Sequence, residues 1–167
     1  MIFTLIGMPG SGKSCLGRSL SSKMKVKLID SDKLIEKRCG KKLQVLIDEL
    51  GVDEFRRIEE EVLLGIDSEC DAILSTGGSA VYSESAMNYL KTKGKIIYLY
   101  CSYETIKDRL GDFSKRGIVL KPGQDLKGLY DERVPLYEKS SDIVLNCDGK
   151  NYVKYRNDAI AIINKFR

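Results

Sequence analysis

The 167-residue chain is 43% apolar and 31% charged, an ordinary globular composition that predicts one domain, residues 1–167, with its own core. It contains no histidine, which excludes Ser-His-Asp and Cys-His catalysis as well as histidine metal sites. The net charge of +4 is too small for a nucleic-acid surface but suits an anionic small molecule, and no apolar run reaches membrane-spanning length. The partner expected is therefore a small-molecule substrate, with no nucleic acid and no membrane.

The first apolar run, residues 2–6, starts directly after Met1 and leaves no room for a signal peptide. It ends in Gly7-x-x-x-x-Gly12-Lys13-Ser14, and an amphipathic stretch follows at 13–24. Strand, glycine-rich loop and helix in this order form the P-loop pattern, whose plain alternative is a glycine turn with a helix cap. Such a loop, here Gly10, Ser11, Gly12, Lys13, Ser14 and Cys15, turns backbone N–H groups and the helix dipole onto the phosphates of a nucleoside triphosphate. Lys13 reaches the β- and γ-phosphates, and the Ser14 hydroxyl binds Mg²⁺. The five cysteines are scattered, with no Cys-x-x-Cys pair, which points to reduced thiols in a cytoplasm.

A second apolar run at 26–29 leads into Asp30-Ser31-Asp32, and helical stretches follow at 32–39, 43–50 and 54–66. If the extended backbone continues, Asp30 and Asp32 project to one side, one carboxylate supporting Mg²⁺ and the other taking a substrate hydroxyl; the alternative is a helix N-cap. The third run, 72–74, ends in Ser-Thr-Gly77-Gly78-Ser79, where bare backbone can face an anion or merely turn. After a helix at 83–93 come a strand at 95–101, a helix at 103–110 and a segment, 112–124, rich in glycine and cations, which reads as a lid. A helix at 125–139, a strand at 143–145 and a helix at 152–166 complete the chain. Five short apolar strands alternating with helices predict an α/β fold of three layers: a five-stranded parallel sheet covered by helices on both faces.

Taken together, these motifs resemble the shikimate kinase family, in order along nearly the whole chain. Asp30-Ser31-Asp32 stands where the family has Asp-x-Asp; Phe55, Arg56 and Glu59 carry its Phe-Arg-x-x-Glu; Arg133-x-Pro135-Leu136-Tyr137 is similar to its second carboxylate-binding arginine; and Arg109 and Arg116 are spaced like its adenine-side and lid arginines. The resemblance implies transfer of the ATP γ-phosphate to shikimate, giving shikimate 3-phosphate, by a monomer. It implies that Arg56 and Arg133 grip the substrate carboxylate beside Gly77, Gly78 and Ser79, that Asp32 bonds the acceptor hydroxyl and acts as base, and that Asp30 joins Ser14 at the metal. Lys13 and Arg116 would neutralise the moving phosphoryl group, and Arg109 would lie on the adenine side.

Bland readings stand beside these: an Arg56–Glu60 ion pair at helical i, i+4 spacing, Arg133 on a charged helix face, and Arg116 as a solvated loop charge. Two departures concern the substrate. Ser79 replaces the last glycine of the family's triplet, adding a hydroxyl and bulk, and the lid lacks the family's Arg-Pro-Leu-Leu. A kinase for homoserine or gluconate, a nucleoside monophosphate kinase and a non-catalytic nucleotide-binding regulator are the competing functions.

Overall fold

In the computed structural model, which describes residues 1–111, 118, 121, 123–149 and 151–167, the five apolar runs make one sheet. The strands β1 (Ile2–Ile6), β2 (Lys27–Asp30), β3 (Ala72–Ser75), β4 (Gly94–Tyr100) and β5 (Ile143–Asn146) lie in the order β2-β3-β1-β4-β5. All four pairings are parallel. Every residue of central β1 is buried, as a strand covered on both faces requires, whereas the edge strands β2 and β5 carry exposed positions. Each strand lies within a residue or two of its expected place. The polar ends Asp30 and Ser75 belong to the ladder because they pair with each other, which hydrophobicity alone does not reveal.

The expected helices form as α1 (Lys13–Met24), α2 (Ser31–Cys39), α3 (Leu43–Leu50), α4 (Val52–Leu64), α5 (Glu84–Lys93), α6 (Tyr103–Leu110), α7 (Leu126–Ser140) and α8 (Tyr152–Asn164). α1 and α8 pack together and reach β3 and β5, while α5 packs with α4 and α7 and reaches β4; these groups flank the sheet. The main core joins all five strands to these helices. A smaller cluster of Ile35, Leu46, Phe55 and Val62 ties α2, α3 and α4 to one another. It fixes the face of α4 from which Arg56 and Glu59 project. α7 runs on through Pro135, and all five cysteines are free.

Among the described residues no helix is long and apolar enough to cross a membrane. Most of the expected lid, 112–117, 119, 120 and 122, and with it Arg116, lies outside the described residues.

α5 runs without a loop into β4 at Gly94, which pairs with Ile2. A Cβ on Gly94 would stand 2.0 Å from the Ile2 carbonyl oxygen, so the sheet must shift to admit any side chain. Gly94→Ala should lower stability by about 1–3 kcal/mol, the range for forced overpacking. Thermal or urea unfolding reads this, and a native-like midpoint would contradict the close approach of β1 and β4.

Candidate active site

The loop leaving β1 turns at Gly7, Gly10 and Gly12, and Gly12, at φ 100°, is the N-cap of α1. No side chain caps this helix, so its first N–H groups face the cleft uncovered. Lys13 folds back over the loop, where its Nζ donates to the carbonyls of Gly7 at 2.7 Å and Met8 at 2.9 Å. Burial pushes its amine down to about 8, against the pull of the Asp32 carboxylate. Ser14 and Cys15 are exposed at the helix start, whereas Ser11 is buried, its N–H bonded to the Met8 carbonyl at 3.1 Å. A cleft of about 420 Å³ opens here, with Gly12, Lys13 and Ser14 on one side, Asp32 and Gly77 on another, and Arg109 at its wall. Arg109 is tied down by its own donors, to the Ser11 carbonyl at 3.3 Å, the Cys101 Sγ at 3.4 Å, and the carbonyls of Cys147 and Gly149 at 2.8 and 2.9 Å.

The two aspartates part company. The extended backbone stops at Asp30, so the one-sided projection expected of a continuing strand does not occur. Asp30 is the N-cap of α2, its Oδ1 accepting from the Lys33 N–H at 3.2 Å, and it does not line the cleft. Asp32 sits in the first turn of α2 and faces the glycine turn after β3. Its carboxyl is pushed up to about 6, chiefly by burial and then by the Asp30 charge, with Lys13 opposing. Ser31, between them, accepts from the Gly77 N–H at 3.1 Å, and the Tyr137 hydroxyl donates to the Gly78 carbonyl at 2.6 Å. The glycine at 77 answers to close approach: a Cβ there would lie 2.5 Å from Glu59 Oε1 and 2.9 Å from Asp32 Oδ1.

On the far side of that turn stand the arginines. Arg56 is not paired with Glu60, which accepts instead from the Ser83 hydroxyl at 2.6 Å; it is the neighbouring Arg57 that bridges Glu54 and Glu61. Arg133, only 1% exposed, lies in the interior and not on a charged helix face. Ser79 turns its hydroxyl onto Glu59, donating to Oε2 at 2.6 Å between two buried side chains. Glu59 is 2% exposed, and its other oxygen has no hydrogen-bond partner among the described residues. Its carboxyl is pushed up to about 7 by burial, with the Ser79 hydrogen bond working against that rise.

The fold thus gathers Lys13, Ser14, Asp32, Gly77 and Gly78 along one cleft and sets Ser79 and Arg133 beside a small extension of it that Asp32 and Gly77 share. Arg56 lines an adjoining cavity together with Glu59 and Ser79. Asp30 is drawn off to its cap. Three contributors went unassigned in the sequence: Ser31, Tyr137 and Glu59. All three stood in quoted motifs without a role; Glu59 also left a physical signal, because it falls on the buried stripe Phe55, Glu59, Val62 and Leu63 of α4, where a carboxylate is out of place.

A parallel sheet in the order 2-3-1-4-5, with a glycine loop between its central strand and first helix, defines a P-loop phosphotransferase fold. The chain belongs to the shikimate kinase family, whose model matches residues 9–165. Shikimate kinase of Haemophilus influenzae (strain PittEE) is 36% identical over 163 residues, 96% of this chain and 91% of that protein. That of Sulfurihydrogenibium sp. (strain YO3AOP1) is 34% identical over 146 residues, 87% of each. The solved structure of shikimate kinase from Acinetobacter baumannii in complex with shikimate superposes with a TM-score of 0.83 at 29% identity, covering 99% of this chain and 92% of that one.

The Ser79 hydrogen bond favours the ionised form of Glu59, so without it the carboxyl titrates still higher than about 7. A raised carboxyl lowers stability progressively as pH climbs from its unfolded to its folded pKa, so a variant whose folded pKa is higher still goes on losing stability after the native protein has levelled off. Ser79→Ala should therefore destabilise the protein by about 1–3 kcal/mol in mild alkali, the cost of a buried acceptor left unmet. The loss should grow as pH rises through about 7 and fade in acid. A pH series of unfolding curves checks this; a deficit that is largest in acid would contradict it.

Proposed function

We propose that this chain phosphorylates shikimate with ATP, in the cytoplasm. The observation that carries this reading is the meeting of Arg56 and Arg133 beside the Gly77-Gly78 turn, with Asp32 between that turn and the phosphate loop. Two planar guanidinium forks suit one carboxylate, and a carboxylate with a raised pKa suits a hydroxyl proton. In this reading the loop Gly10 to Cys15 wraps the phosphates, the N–H groups from Gly12 to Cys15 donating to them, and Arg109 flanks the base. The acceptor oxygen attacks the γ-phosphorus and its proton passes to Asp32. The bond to the ADP oxygen breaks while Lys13, and Arg116 from the segment outside the described residues, offset the charge.

Ser14 lines the cleft and suits Mg²⁺ directly, whereas Asp30, held as the cap of α2 outside the cleft lining, suits only its outer shell. Among the described residues no cluster of three His, Cys, Asp or Glu could hold a metal alone. Mg²⁺ in kinases rests mainly on phosphate oxygens and water, with one or two protein oxygens, here assigned to Ser14, with Asp30 in the outer shell. It would supply further neutralisation of phosphate charge. Because Asn caps a helix as well as Asp, Asp30→Asn should keep native stability while raising the Mg²⁺ concentration needed for half-maximal rate. Unchanged Mg²⁺ dependence would leave Asp30 a cap only.

ADP formation across a panel of hydroxy acids tests the whole reading: shikimate should be used, and a preparation that phosphorylates homoserine or gluconate but not shikimate overturns the acceptor. Lys13→Ala should nearly abolish turnover with the fold intact. Arg56→Ala and Arg133→Ala should each cost about 2–5 kcal/mol in acceptor binding, tens- to thousands-fold, with ATP affinity little changed. The free-enzyme profile of kcat/KM should rise as Asp32 loses its proton near pH 6 and fall as Lys13 loses its own near pH 8. A rate that is flat between pH 5 and 9 would remove both residues from the chemistry.

A further inference from the structure

Arg56 and Arg133 come from different helices, yet both converge on one aromatic ring. Tyr82 lies in the short 3-10 turn, Ala80–Tyr82, that follows the glycine turn. The Arg56 guanidinium carbon is 3.9 Å from the centre of its ring, and that of Arg133 is 5.2 Å away. Arg133 Nε also donates to the Tyr82 hydroxyl at 3.3 Å, and the hydroxyl in turn donates to Glu132 Oε1. The other oxygen of Glu132 is held by Lys121 Nζ at 2.9 Å and Gln124 Nε2 at 3.1 Å. Arg56 Nε is buried without a hydrogen-bond partner among the described residues.

Two guanidinium groups meant for one carboxylate repel each other, so something must hold them close. An acid in that place would neutralise them and occupy the N–H edges that the ligand needs. An aromatic face attracts a guanidinium through its quadrupole without placing a countercharge beside it. The hydroxyl adds direction, because an N–H bond from Arg133 and a bond onward to a pinned carboxylate fix the ring and one guanidinium together.

We propose that Tyr82 is a positioning residue: its ring and hydroxyl hold Arg56 and Arg133 in the arrangement that receives the acceptor carboxylate, with Glu132 anchoring the hydroxyl. This rests on the acceptor reading above, which ADP formation by the native chain tests on its own before any variant is made. Tyr82→Leu removes both ring and hydroxyl. It should raise the acceptor KM about tenfold or more, with ATP KM within about twofold and kcat within about threefold of native, the pattern of lost acceptor binding alone. Tyr82→Phe keeps the ring and should recover most of that loss, leaving the acceptor KM raised about two- to fivefold.

A folded Tyr82→Leu protein with a native acceptor KM, or with ATP KM raised in step, overturns the proposal. If Tyr82→Leu does not fold, Tyr82→Phe decides. Its Arg133 Nε–H should exchange with solvent about tenfold faster than native in ¹⁵N-resolved spectra, as a lost buried hydrogen bond requires. Native exchange together with a native acceptor KM overturns the proposal. If the native chain does not use shikimate, the acceptor reading falls. The arginine Nε–H exchange of Tyr82→Leu, or of Tyr82→Phe if that alone folds, then settles the positioning: release of the arginines upholds it and native-like protection overturns it.

Discussion

Everything at the site depends on where three neighbouring strands stop. Ser75 at the end of β3 lies level with Asp30 of β2 on one side and with Leu5 of β1 on the other. The chain therefore leaves the sheet at one height in three adjacent places: into the phosphate loop, into α2 and into the glycine turn. Groups scattered from residue 5 to residue 77 come within hydrogen-bond reach because of that register. Ser31 takes the Gly77 N–H across it, and the Thr76 hydroxyl reaches back to the Leu5 carbonyl at 3.0 Å. Open parallel sheets bind ligands beyond the carboxyl ends of their strands, and here the arrangement is locked by hydrogen bonds between the loops themselves.

That geometry draws ionisable groups out of water together. Lys13, Asp32, Glu59 and Arg133 lie near enough to perturb one another, and burial works against the charged form of each. It raises both carboxyls and lowers the amine, while the opposite charges partly restore them. Such a set titrates as a unit, so removing one member shifts the rest. The arrangement also suits a site for two anions. A phosphate or a carboxylate entering beside Lys13 and Arg133 supplies the negative charge that burial has made scarce.

Much of this was legible in the sequence, and the physical reasons are specific. The five strands announce themselves because a buried parallel strand is continuously apolar, and the phosphate loop because glycines, lysine and serine must stand at fixed spacing between strand and helix. The division of labour between Asp30 and Asp32 was hidden, since it turns on whether the backbone coils at Ser31 or one residue later, and a cap competes for either side chain. Glu59 stands out from a run of three glutamates by the Phe-Arg-x-x-Glu spacing, but its burial shows only in the phase of the helix and its role was hidden. Tyr82 had no periodic signal at all. It sits in a single 3-10 turn, and its partners arrive from α4 and α7, which tertiary packing alone brings together.

The serine at the end of the glycine turn shows how a departure from a family pattern should be weighed. A third glycine is needed only if the backbone there is strained or if a neighbour crowds the Cβ. Ser79 has φ −87° and ψ −12°, a conformation open to any residue. Its hydroxyl is spent inward, on a glutamate that would otherwise have both oxygens unmet among the described residues. The crowded positions are Gly77 and Gly78, where a Cβ would meet Glu59, Asp32, Pro9 and Arg133, and both remain glycine. In the acceptor reading proposed above, the face turned toward the acceptor is built from those two glycines, the arginines and Asp32. The serine stabilises the buried carboxylate behind that face, so its presence is compatible with the same acceptor chemistry.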